Sequence, residues 1–212
     1  MIRGPRARLA VLLSGRGSNF EAIADAIDAG SIPHAEIVAV ISDTPAAAGL
    51  EAARRRGLPA FLIDRSRHSS RQAHEREIVR VLDEAATDLV CLAGYMRILS
   101  PEFVARDRGR ILNIHPSLLP RFPGLHPQKQ ALDAGESESG CTVHVVDEGT
   151  DTGPPVLAAR VPILPADTVE SLSARILEAE HRLYPAAIAR VLEGLREGSG
   201  DAHSDVHRNR GK

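Results

Sequence analysis

Leu9-Ala10-Val11-Leu12-Leu13-Ser14-Gly15-Arg16-Gly17-Ser18-Asn19 runs a short apolar segment straight into a glycine-rich turn. An apolar run of that length, bounded by glycines and followed by a helix-like pattern, reads as a buried strand. Leu9 to Ser14 is therefore expected to be a strand and Asn19 to Ala29 a helix. The same unit recurs along the chain. Glu36 to Ser42 reads as a strand and Ala46 to Arg56 as a helix. Phe61 to Ile63 is a short strand, and Ser69 to Ala86 an amphipathic helix. Asp88 to Gly94 reads as a strand whose run after Asp88 is continuously apolar, as suits a strand covered on both faces. A short helix after Pro101 and a strand over Arg110 to Ile114 complete the series. Alternating strands and helices predict an α/β fold with a mostly parallel sheet and helices on both faces.

After residue 114 the pattern changes. Gly140 to Asp147 alternates, and Val156 to Ile163 is a second strand bounded by prolines. No long helix separates them, so an antiparallel addition to the sheet is expected. Asp167-Thr168-Val169-Glu170 is a cap for a long final helix running to about Glu193. The expected organisation is one domain over 1–197, with halves at about 8–107 and 108–197. A polar, Gly-, His- and Arg-containing tail over 198–212 is expected to be disordered.

Composition narrows the function classes. A net charge of −2 gives no general nucleic-acid surface. Two cysteines far apart, Cys91 and Cys141, are not a disulfide framework, so a reducing cytoplasm is expected. The N-terminal apolar core is too short for a secretory signal, and no run approaches the roughly 20 apolar residues of a membrane span. Lys129 and Lys212 are the only lysines, which argues against lysine-dependent covalent chemistry.

The loop Ser14-Gly15-Arg16-Gly17-Ser18-Asn19 joins a strand to a helix N-terminus, where free amides and the helix dipole favour an anion such as a phosphate. Phe20 stands where a dinucleotide fingerprint wants its third glycine, and the Gly-Lys-Ser/Thr of a P-loop is missing. A tight turn with a Ser or Asn cap is the alternative reading, and the residues alone leave both open.

Asn113-Ile114-His115 places two polar side chains on one face at the end of a strand, because residues two apart project together. In open α/β sheets ligands bind at that end. Asp151 lies in the turn sequence Asp151-Thr152-Gly153-Pro154. An amide, an imidazole and a carboxylate together can stabilise an oxyanion, move a proton and orient the proton donor. Structural hydrogen bonding by Asn113 and His115 is the plainer reading of the residues. Ser117 lacks a nucleophile elbow, and Cys141 reads as core. His126 and His144 form no compact metal-ligand spacing, so no metal is expected.

Three ordered motifs carry a family likeness. Asn113-Ile-His115-Pro-Ser117-Leu-Leu-Pro120-Arg-Phe122-Pro-Gly124, Gly140-Cys-Thr142-Val-His144 and Asp151-Thr-Gly153-Pro154 resemble the signature of the folate-dependent formyltransferases. The likeness extends from about Leu9 to Gly194 and includes Leu92 to Pro101. It implies a Rossmann-like fold and transfer of the formyl group of 10-formyltetrahydrofolate, a co-substrate, to the amine of a phosphoribosylated glycinamide in purine biosynthesis. It also implies Asn113, His115 and Asp151 as catalytic residues, supported by His144. Gly17, Ser18, Asn19 and Glu180 match segments that hold the ribonucleotide. Arg71, Met96, Arg97, Ile98, Leu99 and Asn113 match folate-binding positions. Without the likeness, Met96 to Leu99 would read as core after a strand, and Arg71 and Glu180 as solvated helix residues. Arg16, where relatives often carry a smaller polar residue, and the polar tail depart from the pattern. The partners implied are small molecules, with no nucleic acid and no membrane, for a monomer or homodimer.

Two sister activities and one unrelated class compete. A methionyl-tRNA formyltransferase carries a further C-terminal domain for tRNA. A formyltetrahydrofolate deformylase usually carries an N-terminal regulatory domain. Neither extension is expected from a first strand starting by residue 9 and a tail after about Gly194. A catalytically silent NAD- or nucleotide-binding module would keep the sheet and glycine loop without requiring Asn113, His115 and Asp151 to converge.

Overall fold

The computed structural model describes residue 2 and residues 4–204, with side chains through Arg196. Its centre is a seven-stranded sheet in the order β3-β2-β1-β4-β5-β6-β7. The first five strands, β1 (Ala7–Leu13), β2 (Ala35–Ser42), β3 (Ala60–Leu62), β4 (Leu89–Leu92) and β5 (Ile111–His115), run parallel. The last two, β6 (Glu138–Val145) and β7 (Pro155–Pro162), are antiparallel, as their spacing predicts. β7 forms one edge, where its terminal prolines cost no ladder bond to a further strand.

Alternation along β1 divides the core. Leu9, Val11 and Leu13 face one side, where α1 (Ser18–Asp28), α2 (Ala48–Arg55) and α6 (Val169–Ser204) pack. Ala10 and Leu12 face the other, against α3 (Arg71–Glu84) and α4 (Pro101–Arg106). With both faces covered, the central strands are apolar throughout rather than alternating. A further short helix, α5 (Pro127–Asp133), follows the proline-rich loop after β5 and has no counterpart in the sequence expectation.

The final helix extends to Ser204, past the expected stop near Glu193, and carries Pro185 in its interior. The segment expected as a tail from residue 198 thus begins inside this helix, and residues 205–212 lie outside the described residues. Tyr184, fully buried on α6, reaches the carbonyls of Leu92 at 3.1 Å and Leu112 at 3.0 Å. It thereby ties the helix to the two strands that carry the candidate site.

The chain leaves β1 for β2 and β3 on one side, then returns to place β4 on the other side of β1. This reversal opens a crevice at the C-terminal ends of β1 and β4. The Ser14 amide donates to the Gly94 carbonyl across it at 3.1 Å.

Candidate active site

Leu92 pairs with Asn113, Asn113 with His144, and His115 with Thr142. Directly opposed residues on neighbouring strands project to the same face, so Asn113, His115, Thr142 and His144 form one polar cluster at the end of the sheet, beside the apolar Leu92. Leu112 and Ile114 point the other way, into the core under α6. The expectation that Asn113 and His115 share a face is met. Asp151 arrives from the turn after β6. Its φ of 56° is a left-handed conformation that Asp tolerates better than most residues. Gly153, two residues on, is required for this approach. A Cβ there would sit 1.8 Å from the Val145 carbonyl oxygen.

Asp151 Oδ2 lies 3.3 Å from His115 Nδ1 and accepts the Gly124 amide at 2.9 Å. Its Oδ1 lies 3.5 Å from both His144 Nε2 and Asn113 Nδ2. Burial pushes the Asp151 carboxyl up. Hydrogen bonds from His144 and the Gly124 amide, with the nearby imidazoles, outweigh it and hold the group below the usual carboxylate range. His115 is buried, and its Nε2 lies 2.9 Å from the Phe122 carbonyl, which can only accept. A hydrogen on Nε2 follows from that partner. Asn113 Nδ2 lies 3.1 Å from His144 Nε2, while His144 Nδ1 faces the Val145 carbonyl at 3.2 Å. With the hydrogen on Nδ1, His144 accepts from Asn113; with it on Nε2, the ring donates toward Asp151.

The glycine loop departs from one reading left open by the sequence. Gly17 itself caps α1, at φ 81°, and neither Ser18 nor Asn19 caps the helix with its side chain. A Cβ on Gly17 would meet the Gly49 Cα at 2.6 Å, so the loop is pressed against the start of α2. Asn19 is buried and donates from Nδ2 to Glu180 Oε2 at 2.7 Å, while its Oδ1 has no protein partner. Glu180 is therefore not a solvated helix residue. Burial raises its pKa, and the Asn19 bond offsets this only in part.

Met96 and Ile98 are 72% and 67% exposed, unusual for large apolar side chains beside a crevice, whereas Leu99 is core. Arg97 is paired with Asp43. Arg71 opens α3 and is exposed, and no hydrogen bond or ion pair among the described residues ties it to the His115 cluster. Ser117 is buried with its hydroxyl donating to the Arg121 carbonyl, so it is not a free nucleophile. Burial pushes the Cys141 thiol up to about 12, as suits a core cysteine.

Sequence reading did not reach Asp43, and it quoted Thr142 within the Gly140–His144 motif without giving it a role. Thr142 donates to the Ser117 carbonyl at 2.7 Å and accepts the Leu119 amide at 3.1 Å. It thereby fastens the loop that supplies Phe122 and Gly124 to His115 and Asp151. Its place opposite His115 was the signal available, but only once the register was known. Among the described residues, no group of three or more His, Cys, Asp or Glu is arranged for a metal ion. No described helix is long and apolar enough to cross a membrane.

A doubly covered α/β sheet with an amide, two imidazoles and a carboxylate converging at its C-terminal edge has the parts of an acyl-transfer site. The formyl transferase family model matches residues 7–188, and the chain belongs to that family. It is 45% identical to the phosphoribosylglycinamide formyltransferase of Escherichia coli (strain K12), over 88% of this chain and 87% of that protein. It is 53% identical to the trifunctional purine biosynthetic protein adenosine-3 of Drosophila pseudoobscura pseudoobscura, covering 92% of this chain. The chain spans only 14% of that relative's length. Among solved structures, glycinamide ribonucleotide transformylase 1 from Symbiobacterium toebii superposes with a TM-score of 0.87 at 49% identity, covering 91% of this chain and 90% of that one. Phosphoribosylglycinamide formyltransferase from Brucella melitensis gives 0.83 at 52% identity, covering 87% and 95%.

Proposed function

We propose that the chain transfers the formyl group of 10-formyltetrahydrofolate to the amine of N1-(5-phospho-D-ribosyl)glycinamide in de novo purine (IMP) biosynthesis. The products are the N2-formyl ribonucleotide and tetrahydrofolate. The observation that carries this reading is the convergence of Asn113, His115 and His144 on Asp151. The relatives' names supply the acceptor and the formyl group, and the folate donor is what the motif resemblance implies. The reaction takes place in the cytoplasm, with no metal and no nucleic acid, in a monomer or homodimer. The part from about 8 to 107 holds the ribonucleotide phosphate, and the part from about 108 to 197 carries catalysis; the folate lies between them, against Arg71 and Met96 to Leu99 of the first and Asn113 of the second.

The amine nitrogen attacks the formyl carbon, and the carbonyl electron pair moves onto oxygen. Asn113 Nδ2 faces His144 at 3.1 Å and, more weakly, Asp151 Oδ1 at 3.5 Å. It exchanges the longer contact for the developing oxyanion, to which it donates. His115 exchanges the Phe122 carbonyl for the same oxygen and serves as proton shuttle. The attacking nitrogen loses a proton, N10 of the folate gains one, and the bond between N10 and the formyl carbon breaks. Asp151 keeps His115 oriented and favours positive charge on the ring as the oxyanion forms. The uncapped amides of α1 at Gly17, Ser18 and Asn19 receive the phosphate. Glu180 reaches the ribonucleotide beside Asn19, with Met96, Arg97, Ile98, Leu99 and Arg71 along the folate.

Incubating the protein with both substrates and following tetrahydrofolate release tests this reading. Release that depends on the ribonucleotide is the expected result. Release to water alone would make the chain a hydrolase, and no release would remove the assignment.

A further inference from the structure

One buried carboxylate has no part in the chemistry just described. Asp43 directly follows β2 at the C-terminal edge of the sheet and is only 4% exposed. Three side chains donate to it. Ser14, from the end of β1, donates to Oδ1 at 2.6 Å, and Thr44 donates to the same oxygen at 3.2 Å. Arg97, from the segment after β4, donates through Nε to Oδ2 at 2.7 Å. The Ser14 hydroxyl in turn accepts the Met96 amide at 2.9 Å. One carboxylate thus holds the root of the glycine loop and the root of the Met96–Leu99 segment, which leave neighbouring strands. Burial raises its pKa, but the bonds from Ser14 and Arg97 and the Arg97 charge hold it below the usual range. Arg97 uses Nε here and its side chain stays half-exposed, next in sequence to Met96 and Ile98, which are exposed.

We infer that Asp43 is a positioning residue for both substrate segments, holding the glycine loop through Ser14 and the Met96–Leu99 segment through Arg97 and the Ser14 relay. This rests on the assignment of those segments to the ribonucleotide and the formyl folate. Asp43 touches neither substrate. Its removal loosens two binding segments at once and leaves Asn113, His115 and Asp151 in place.

The test is steady-state kinetics of Asp43→Asn, Ser14→Ala and the double variant, with each substrate varied in turn. The expected result is a rise of about three- to tenfold in both KM values, with kcat within about twofold of the parent, since binding rather than the transition state is disturbed. The double variant falls short of the product of the two single effects, because both cut one network. Should Asp43→Asn fail to fold, Ser14→Ala carries the same expectation by the loss of one hydroxyl. Unchanged KM values, a rise in only one of them, or a loss confined to kcat would overturn the inference. An inactive parent protein would instead sink the functional assignment beneath it.

Discussion

Asp151 is a half-buried carboxylate and Glu180 a buried one, and their surroundings push them in opposite directions. Asp151 is held ionised by the Gly124 amide and two imidazoles. Among the described residues Glu180 has one hydrogen-bond donor, Asn19, and burial raises its pKa. A raised folded-state pKa means that its stabilising contribution is present below the unfolded value near 4.5 and lost as pH rises through the folded value. Its charge is therefore a cost at neutral pH. Glu180→Gln should raise Tm at pH 7 and show a smaller gain at pH 4, as thermal unfolding at the two pH values would reveal. A gain that is absent at pH 7 would contradict the burial argument. Neither environment was legible from single residues. Asp151 reads as a turn residue, Glu180 as a polar position on a helix, and Asp43 as the start of a loop. Each takes much of its character from residues distant in sequence, as Asp151 does from Gly124 and Glu180 from Asn19.

At the scale of elements, the strands were readable because apolar runs of four to eight residues can do little else in a chain with helix signals between them. The antiparallel β6 and β7 were readable because too few residues separate them for a crossover. The short α5 was not, since Pro127 follows Pro116, Pro120 and Pro123 and looks like more loop. The end of α6 was missed because a polar, Gly-containing stretch lacks the periodicity that marks a packed helix. The glycine loop changed meaning. Gly17→Val would test phosphate binding poorly, because any Cβ at Gly17 collides with the Gly49 backbone and must adopt φ 81°. Gly17→Ala should cost about 1–3 kcal/mol of stability. Gly15→Ala, with nothing within 4 Å of the new methyl, should cost less than about 0.5 kcal/mol. Urea unfolding of the two variants separates them. Tyr184→Phe, which leaves α6 without its hydroxyl link to β4 and β5, should lose about 1–2 kcal/mol in the same measurement.

For the whole molecule, the cited shifts set an acid limit. His74 is buried, bonded to the Ile63 carbonyl, and faced by His68, Arg65 and Asp43. Burial is the largest cause that lowers its pKa from 6.5. The unfolded chain then binds more protons, so stability begins to fall as pH drops below about 6.5. Asp43 and Asp151, both lowered from 3.8, add a second loss as pH falls below about 4 and through their folded values. Tm against pH should show both stages, and His74→Gln should flatten the first. A curve level down to pH 3 would contradict the assignment. The central claim, however, is chemical: Asn113, His115 and Asp151 act on a formyl group at the C-terminal edge of the sheet. Its most direct test is the turnover of His115→Ala with both substrates saturating and the fold verified by circular dichroism. The account predicts a loss of at least about 100-fold, the scale for removing a transition-state donor or proton shuttle. Turnover within a few-fold of the parent would contradict it.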